Sequence, residues 1–136
     1  MGKKKIVLDT NILISALGWE GSSRIILSKV IDKEFELVIS FKQLSELLRV
    51  MSYPKFKFTD GQKDGFLLIL LKIATLTQTK TKVDVIKEDP DDNIILEPAD
   101  EMKIDFIISG DEHLLMLKEF KKARIITAKE FLDLVG

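Results

Sequence analysis

The chain has 136 residues, 46% of them hydrophobic and 32% charged, with 21 basic against 22 acidic side chains and a net charge of −1. That is the composition of a soluble globular chain able to bury one core, so residues 1–136 are read as a single domain, and it lacks the strongly basic balance of an obvious nucleic-acid binder. With no cysteine there are no disulfides or thiolate metal sites, and no apolar run approaches the roughly 20 residues that cross a bilayer, which makes the cytoplasm the simplest location.

In chain order, Lys3 to Lys5 lead into the apolar Ile6-Val7-Leu8, which Asp9 breaks at once, unlike a signal peptide. Such a short continuous apolar run suits a strand buried on both faces of a parallel sheet. A helix is expected from about Ser22 to Asp32, with Ile25, Ile26, Leu27 and Val30 facing inward, followed by a second strand over Phe35 to Ile39. Ser40 and Gln43 have capping-box spacing before a helix carrying Leu44, Leu47, Leu48 and Met51, which Pro54 ends. Thr59 and Gln62 open another helix, expected to run through Phe66, Leu67, Leu70 and Leu71 to Ala74.

Val83 to Ile86 reads as the third strand. Asp89 is a good N-cap with Pro90 at the first helical position, before Ile94, Ile95, Leu96 and Ala99. Pro98 should bend or shorten that helix. Phe106 to Ile108 is the fourth strand, Asp111 caps a short helix, Arg124 to Ile126 is the fifth strand, and Thr127 with Glu130 caps a last helix around Phe131, Leu132 and Val135. Strands alternating with helices indicate a parallel α/β sheet covered on both faces. Right-handed crossovers then put every strand's carboxyl end on one edge.

That edge gathers acids. Asp9 follows the first strand, Asp111 the fourth, and Asp89, Asp91 and Asp92 cluster between them. Carboxylates so gathered repel one another unless a cation lies among them, and oxygen donors suit the hard ions Mg²⁺ and Mn²⁺. Such an ion could align a phosphodiester and a water for in-line attack. Each acid also has an ordinary reading. Asp111 can be an N-cap, and Asp91 and Asp92 complement a helix dipole. Glu46 lies off the Leu44-Leu47-Leu48 stripe, as a solvated residue would. The single histidine, His113, is read as a surface or supporting residue, because one histidine without cysteine does not make a zinc site. Gly18 and Gly21 match no phosphate-binding loop.

Taken together, Ile6-Val7-Leu8-Asp9-Thr10-Asn11, Ser40 with Glu46, Asp89-Pro90-Asp91-Asp92-Asn93 and Ser109-Gly110-Asp111, in this order, resemble the PIN domain and within it the VapC-like ribonucleases of toxin–antitoxin pairs. The likeness extends to Ile125-Ile126-Thr127-Ala128-Lys129-Glu130-Phe131. It implies a three-layer α/β/α sandwich around a five-stranded parallel sheet, Mg²⁺- or Mn²⁺-dependent cleavage of RNA, and an antitoxin partner; it also makes a homodimer plausible. By motif position Asp9, Glu46, Asp92 and Asp111 would be the metal-binding and catalytic acids, which reverses the surface reading of Glu46, while Asn11 and Ser109 would orient those carboxylates. Pro98 departs from a helix that is usually unbroken, and Asp89 and Asp91 offer alternative ligands to Asp92.

Two competing readings remain at this stage. One is a member that binds nucleic acid, or serves as a scaffold, without catalysis. The other is a receiver-type signalling domain, but that needs an acidic pair near the first strand, a phosphoacceptor after the third and a lysine after the fifth. Cleavage of structured DNA is a further alternative to RNA. Apolar side chains near Trp19 and Phe56 to Phe58 could serve an interface or the core.

Overall fold

The computed structural model describes residues 2–87 and 92–136. Asp89, Pro90 and Asp91, and with them the expected cap at Asp89, lie outside the described residues. In chain order the elements are β1 (Lys5–Leu8), α1 (Thr10–Gly18), α2 (Ser22–Ile31), β2 (Glu36–Ser40), α3 (Phe41–Met51), a 3₁₀ turn (Pro54–Phe56), α4 (Asp60–Ile73), β3 (Ala74–Thr77), α5 (Asn93–Glu101), β4 (Phe106–Ile108), α6 (Glu112–Leu117), β5 (Glu119–Phe120), β6 (Ala123–Ile126) and α7 (Ala128–Val135). The sheet order is β3-β2-β1-β4-β6-β5. Its first five strands are parallel, and β5 pairs antiparallel with β6 at the edge. The parallel five-stranded sheet expected from the resemblance thus gains a short antiparallel edge strand. The order also differs from the 2-1-3-4-5 order of receiver-type sheets.

Alternation along the strands sorts the core into two halves. Ile6, Leu8, Leu37, Ile39, Ile108 and Ile126 face one side, where α1, α2, α3, α4 and α7 pack around Phe131. Val7, Val38, Ile107 and Ile125 face the other, beneath α5 and α6. Helices on both faces of a mostly parallel sheet make the α/β architecture. Among the described residues no helix is long and apolar enough to cross a membrane.

Several elements differ from the sequence reading. A helix follows Asp9 without a break, because Asp9 caps it and Leu13, Ile14, Ala16 and Leu17 bury one stripe. In α2, Ile26, Leu27 and Val30 point inward as expected, but Ile25 is exposed. The helix expected to reach Ala74 ends at Ile73, and the third strand is Ala74–Thr77. Thr75 and Thr77 are β-branched and favour the pleated backbone. Leu71, expected inward on that helix, is exposed, and Leu70 is its buried residue. Val83 to Ile86 is not a strand. Val83 and Ile86 are buried, as the apolar pattern implied, but the segment's backbone is held by a side chain. Asn93 Oδ1 accepts from the N–H groups of Val85 (2.9 Å) and Ile86 (2.8 Å), and its Nδ2 donates to the Ile86 carbonyl at 2.8 Å. Finally, α5 continues through the buried Pro98 to Glu101.

A second polar tie spans the same edge. Glu97, buried on α5, accepts hydrogen bonds from Lys42 Nζ on α3 at 2.9 Å and from the Thr79 hydroxyl beyond β3 at 2.8 Å. Glu97→Ala should lower unfolding free energy by about 2 kcal/mol, since two donors lose a buried acceptor; a urea midpoint equal to that of the wild type would refute this. The β5–β6 hairpin offers the opposite test. Its two loop residues, Lys121 and Lys122, have φ of 50° and 71°, a conformation that disfavours lysine and favours Asn-Gly. Replacing them with Asn and Gly should raise stability by about 1 kcal/mol by relieving two left-handed lysines, even with loss of the Lys121–Asp100 ion pair, whose lysine is largely exposed, seen as a higher urea midpoint at unchanged slope.

Candidate metal centre

The edge is organised by the residue that ends the central strand. The Asp9 N–H still donates to the Ile108 carbonyl at 3.0 Å, so β1 holds its backbone in the ladder while α1 begins at Thr10. The side chain is therefore an N-cap: Oδ1 accepts from the Ile12 N–H at 2.8 Å. Its other oxygen accepts from the hydroxyl of the fully buried Ser109. Ser109 in turn accepts from the Asp111 N–H at 2.9 Å. Asp111 caps α6, its Oδ1 taking the N–H groups of His113 (2.8 Å) and Leu114 (3.2 Å). One serine thus links the two strand-end aspartates.

Two helices supply the remaining acids. Ser40 caps α3 through the Gln43 N–H, as the capping-box spacing predicts. The Gln43 side chain does not return to Ser40 but donates to the Leu8 carbonyl at 2.6 Å, fastening α3 to the end of β1. That bond orients the outer helix face so that Glu46 is half-buried, with Oε1 accepting from the Thr10 hydroxyl. Asp92, also half-buried, occupies the N-cap position of α5. Asp9, Asn11, Glu46, Asp92 and Asp111 all line one cleft of about 240 Å³.

Asp92 and Asp111 of that cleft, together with the neighbouring His113, each offer a ligand atom, all within 4.8 Å of one another, and could hold a metal ion. His113, read from the sequence as a surface or supporting residue, therefore belongs beside the acids; its placement two residues after a capping aspartate, on the first turn of α6, was the available signal. Asp9 and Glu46 share the cleft but lie outside this trio. Asn11 is exposed on the first turn of α1, and the hydroxyl that reaches Glu46 comes from its neighbour Thr10.

Burial pushes the Asp9 carboxyl above its ordinary value. Hydrogen bonds from Ser109, Ile12 and the Gly110 N–H offset part of that rise, and the charge of Asp111 adds to it. The donor set of carboxylates with one imidazole, and a buried acid whose ionisation is disfavoured, fit a cation that relieves the repulsion.

Comparison with known proteins agrees with the fold. The family model described as the PIN domain matches residues 5–113. The uncharacterized protein MJ1680 of Methanocaldococcus jannaschii is 30% identical over 146 aligned residues, covering 96% of this chain and 91% of that protein. A chain in the crystal structure of VapBC2 from Rickettsia felis, bound to a DNA fragment from their promoter, aligns with a TM-score of 0.64 at 16% identity, covering 89% of this chain and 96% of that one. At that identity the likeness is one of fold.

The raised carboxyl makes a signed prediction for the metal-free protein. A native group that holds its proton above the unfolded value of 3.8 makes folding less favourable as pH rises from 3.8 through the native value. Asp9→Asn removes that loss. The stability difference, variant minus wild type, should therefore grow with pH across this window and then level off; a difference independent of pH would contradict the buried, proton-retaining aspartate.

Proposed function

The chain belongs to the PIN-domain family, and on that premise we propose that it is a metal-dependent endoribonuclease, the toxin of a toxin–antitoxin pair. The observation that supports this reading best is the convergence of Asp9, Glu46, Asp92 and Asp111 on one cleft from four separate segments of the chain. These four are proposed to hold Mg²⁺ or Mn²⁺, with His113 beside Asp92 and Asp111 as a further donor. When bound, such an ion neutralises charge on a phosphodiester and makes water more acidic.

The chain's own residues have separate tasks. Ser109 keeps the Asp9 carboxylate turned toward the cleft and couples it to the backbone of Asp111. Thr10 does the same for Glu46. The cap at Asp111 uses one carboxylate oxygen; at Asp9 one oxygen takes the cap and the other the Ser109 hydroxyl, and since each carboxylate oxygen has two lone pairs, capping and ligation are compatible. Burial of Asp9 beside the half-buried Asp111 weakens the screening of their repulsion, which strengthens the demand for a cation.

The toxin reading draws on the fold shared with VapBC2 of Rickettsia felis. Its partner would be an antitoxin, whose gene is expected beside this one, and the site of action would be the cytoplasm. A homodimer is compatible with the exposed Trp19, while Phe56 and Phe58 stack on each other and pack against the core.

Two readouts test the site. In the first, wild type should cleave RNA with Mg²⁺ or Mn²⁺, and Glu46→Gln or Asp9→Asn should cleave about 100-fold more slowly or worse; full activity in either variant would end the assignment. In the second, Mn²⁺ at about 100 times its Kd should stabilise wild type by about 2.7 kcal/mol, a rise of several degrees in Tm that Asp92→Asn largely loses. Metal-induced stabilisation without cleavage of RNA or of structured DNA would favour an inactive, nucleic-acid-binding member.

A further inference from the structure

The cleft that gathers the acids also carries cations that do not pair with them. Arg49 and Lys55 line it together with Tyr53, and among the described residues neither cation forms an ion pair. An arginine in the last turn of a helix ordinarily serves the helix dipole, and Arg49 lies in the last turn of α3. Its guanidinium, however, donates to the Tyr53 hydroxyl at 2.7 Å, although four carboxylates line the same cleft.

The arrangement follows from the local sequence. Glu46, Arg49 and Val50 are spaced at three and four residues, which places them in a row on one face of α3, and Tyr53, just beyond the helix end at Met51, lines the same cleft. Arg49 lies one turn beyond Glu46, about 4.5 Å further along the axis at 1.5 Å per residue. Pro54 then forbids another helical turn and holds Tyr53 extended, at φ −64° and ψ 134°. The ring is left 40% exposed beside the acids instead of folding into the core. Lys55 follows on the 3₁₀ turn, its ammonium 5.1 Å from the centre of the Phe56 ring.

A row of acid, cation and exposed ring suits one ligand class, a flexible polyanion carrying flat bases. We propose that Arg49, Tyr53 and Lys55 are positioning residues for the strand that enters the cleft: the two cations hold phosphates beside the one at the acids, and the Tyr53 ring stacks on a neighbouring base. Arg49 also donates to the Tyr53 hydroxyl, which places the cation beside the end of the ring. Stacking needs a base free of its duplex neighbours, so the wall accepts a single strand. It touches phosphates and ring faces, which RNA and DNA share. This inference rests on the nucleic-acid reading of the cleft but not on catalysis.

The test is therefore run without metal. The intact chain in chelator is titrated against fluorescent oligouridylate, oligothymidylate of equal length, and a short duplex, over a range of salt. Arg49→Gln and Lys55→Gln should each weaken single-strand binding and lower the salt slope by about 0.7. Tyr53→Ala should weaken it about 5- to 100-fold for both strands with the slope nearly unchanged, whereas Tyr53→Phe keeps most of the affinity. Duplex binding should be indifferent to Tyr53→Ala. Wild-type affinity in Tyr53→Ala, an unmoved salt slope in both cation variants, or an equal loss on duplex would overturn the proposal, provided that thermal unfolding shows each variant folded. Because the assay needs no turnover, failure of cleavage with this binding pattern intact would sink the nuclease and spare the wall; cleavage with binding blind to these variants would do the reverse.

Discussion

A carboxylate buried at the end of the central strand is the constraint around which the rest of the structure is arranged. β1 lies between β2 and β4, with Lys5 and Ile6 paired to β2 and Ile6 to Leu8 paired to β4, which leaves the strand little freedom to move. Asp9 continues that ladder through its N–H while its side chain starts α1. Among the described residues no lysine or arginine pairs with it. The charge is offset instead by neutral donors, namely the Ser109 hydroxyl and the N–H groups of Ile12 and Gly110. Hydrogen bonds orient a carboxylate without cancelling its charge, and they leave it receptive to a cation in a way that a salt bridge would not.

The same economy explains why polar side chains are buried along this edge when apolar ones would pack more cheaply. Gln43 spends its amide on the Leu8 carbonyl, and Glu97 joins Lys42 on α3 to Thr79. Both ties involve the helices that carry Glu46 and Asp92. Apolar contacts fix a helix over a surface but leave it some freedom to slide or rotate; directional bonds set its phase, and phase decides whether an acid meets the cleft. Buried polar groups cost desolvation. Here that cost falls on the elements whose registration matters to the site.

Much of this was legible in the sequence, for identifiable reasons. Apolar runs ending in Asp9 and Asp111 announced the strands, and Thr59–Gln62 and Thr127–Glu130 form the reciprocal caps that their spacing implies. Legibility failed where one residue type supports two roles. Asp9 read as the end of a strand and concealed the cap of α1. Ala74 to Thr77 follows a helical stretch with no breaker between, so the helix absorbed the strand in the reading. The run from Val83 to Ile86 has the burial of a strand, but its backbone partner is the Asn93 side chain, which no periodicity reports. Glu46 reads as a solvated residue because its helix has two working faces: Leu47 and Met51 turn to the core, while Glu46 lies half-buried on the face that lines the cleft. His113 was discounted for want of partners that the fold supplies.

Charge was the least informative property of the whole chain, and the cleft shows why. A net charge of −1 is a sum over residues most of which never meet. Screening confines an exposed charge to neighbours within about 10 Å at ordinary ionic strength, so a passing polyanion responds to local arrangement and not to the total. α3 arranges the two signs along one rigid face, acid first and cation a turn later. Their spacing of three residues would let them pair, but Glu46 takes the Thr10 hydroxyl and Arg49 donates to the Tyr53 hydroxyl, so the two charges stay separate. A chain of nearly balanced composition can thus present a site that is strongly acidic at its centre and basic at its wall, a separation created by folding and invisible in the sum.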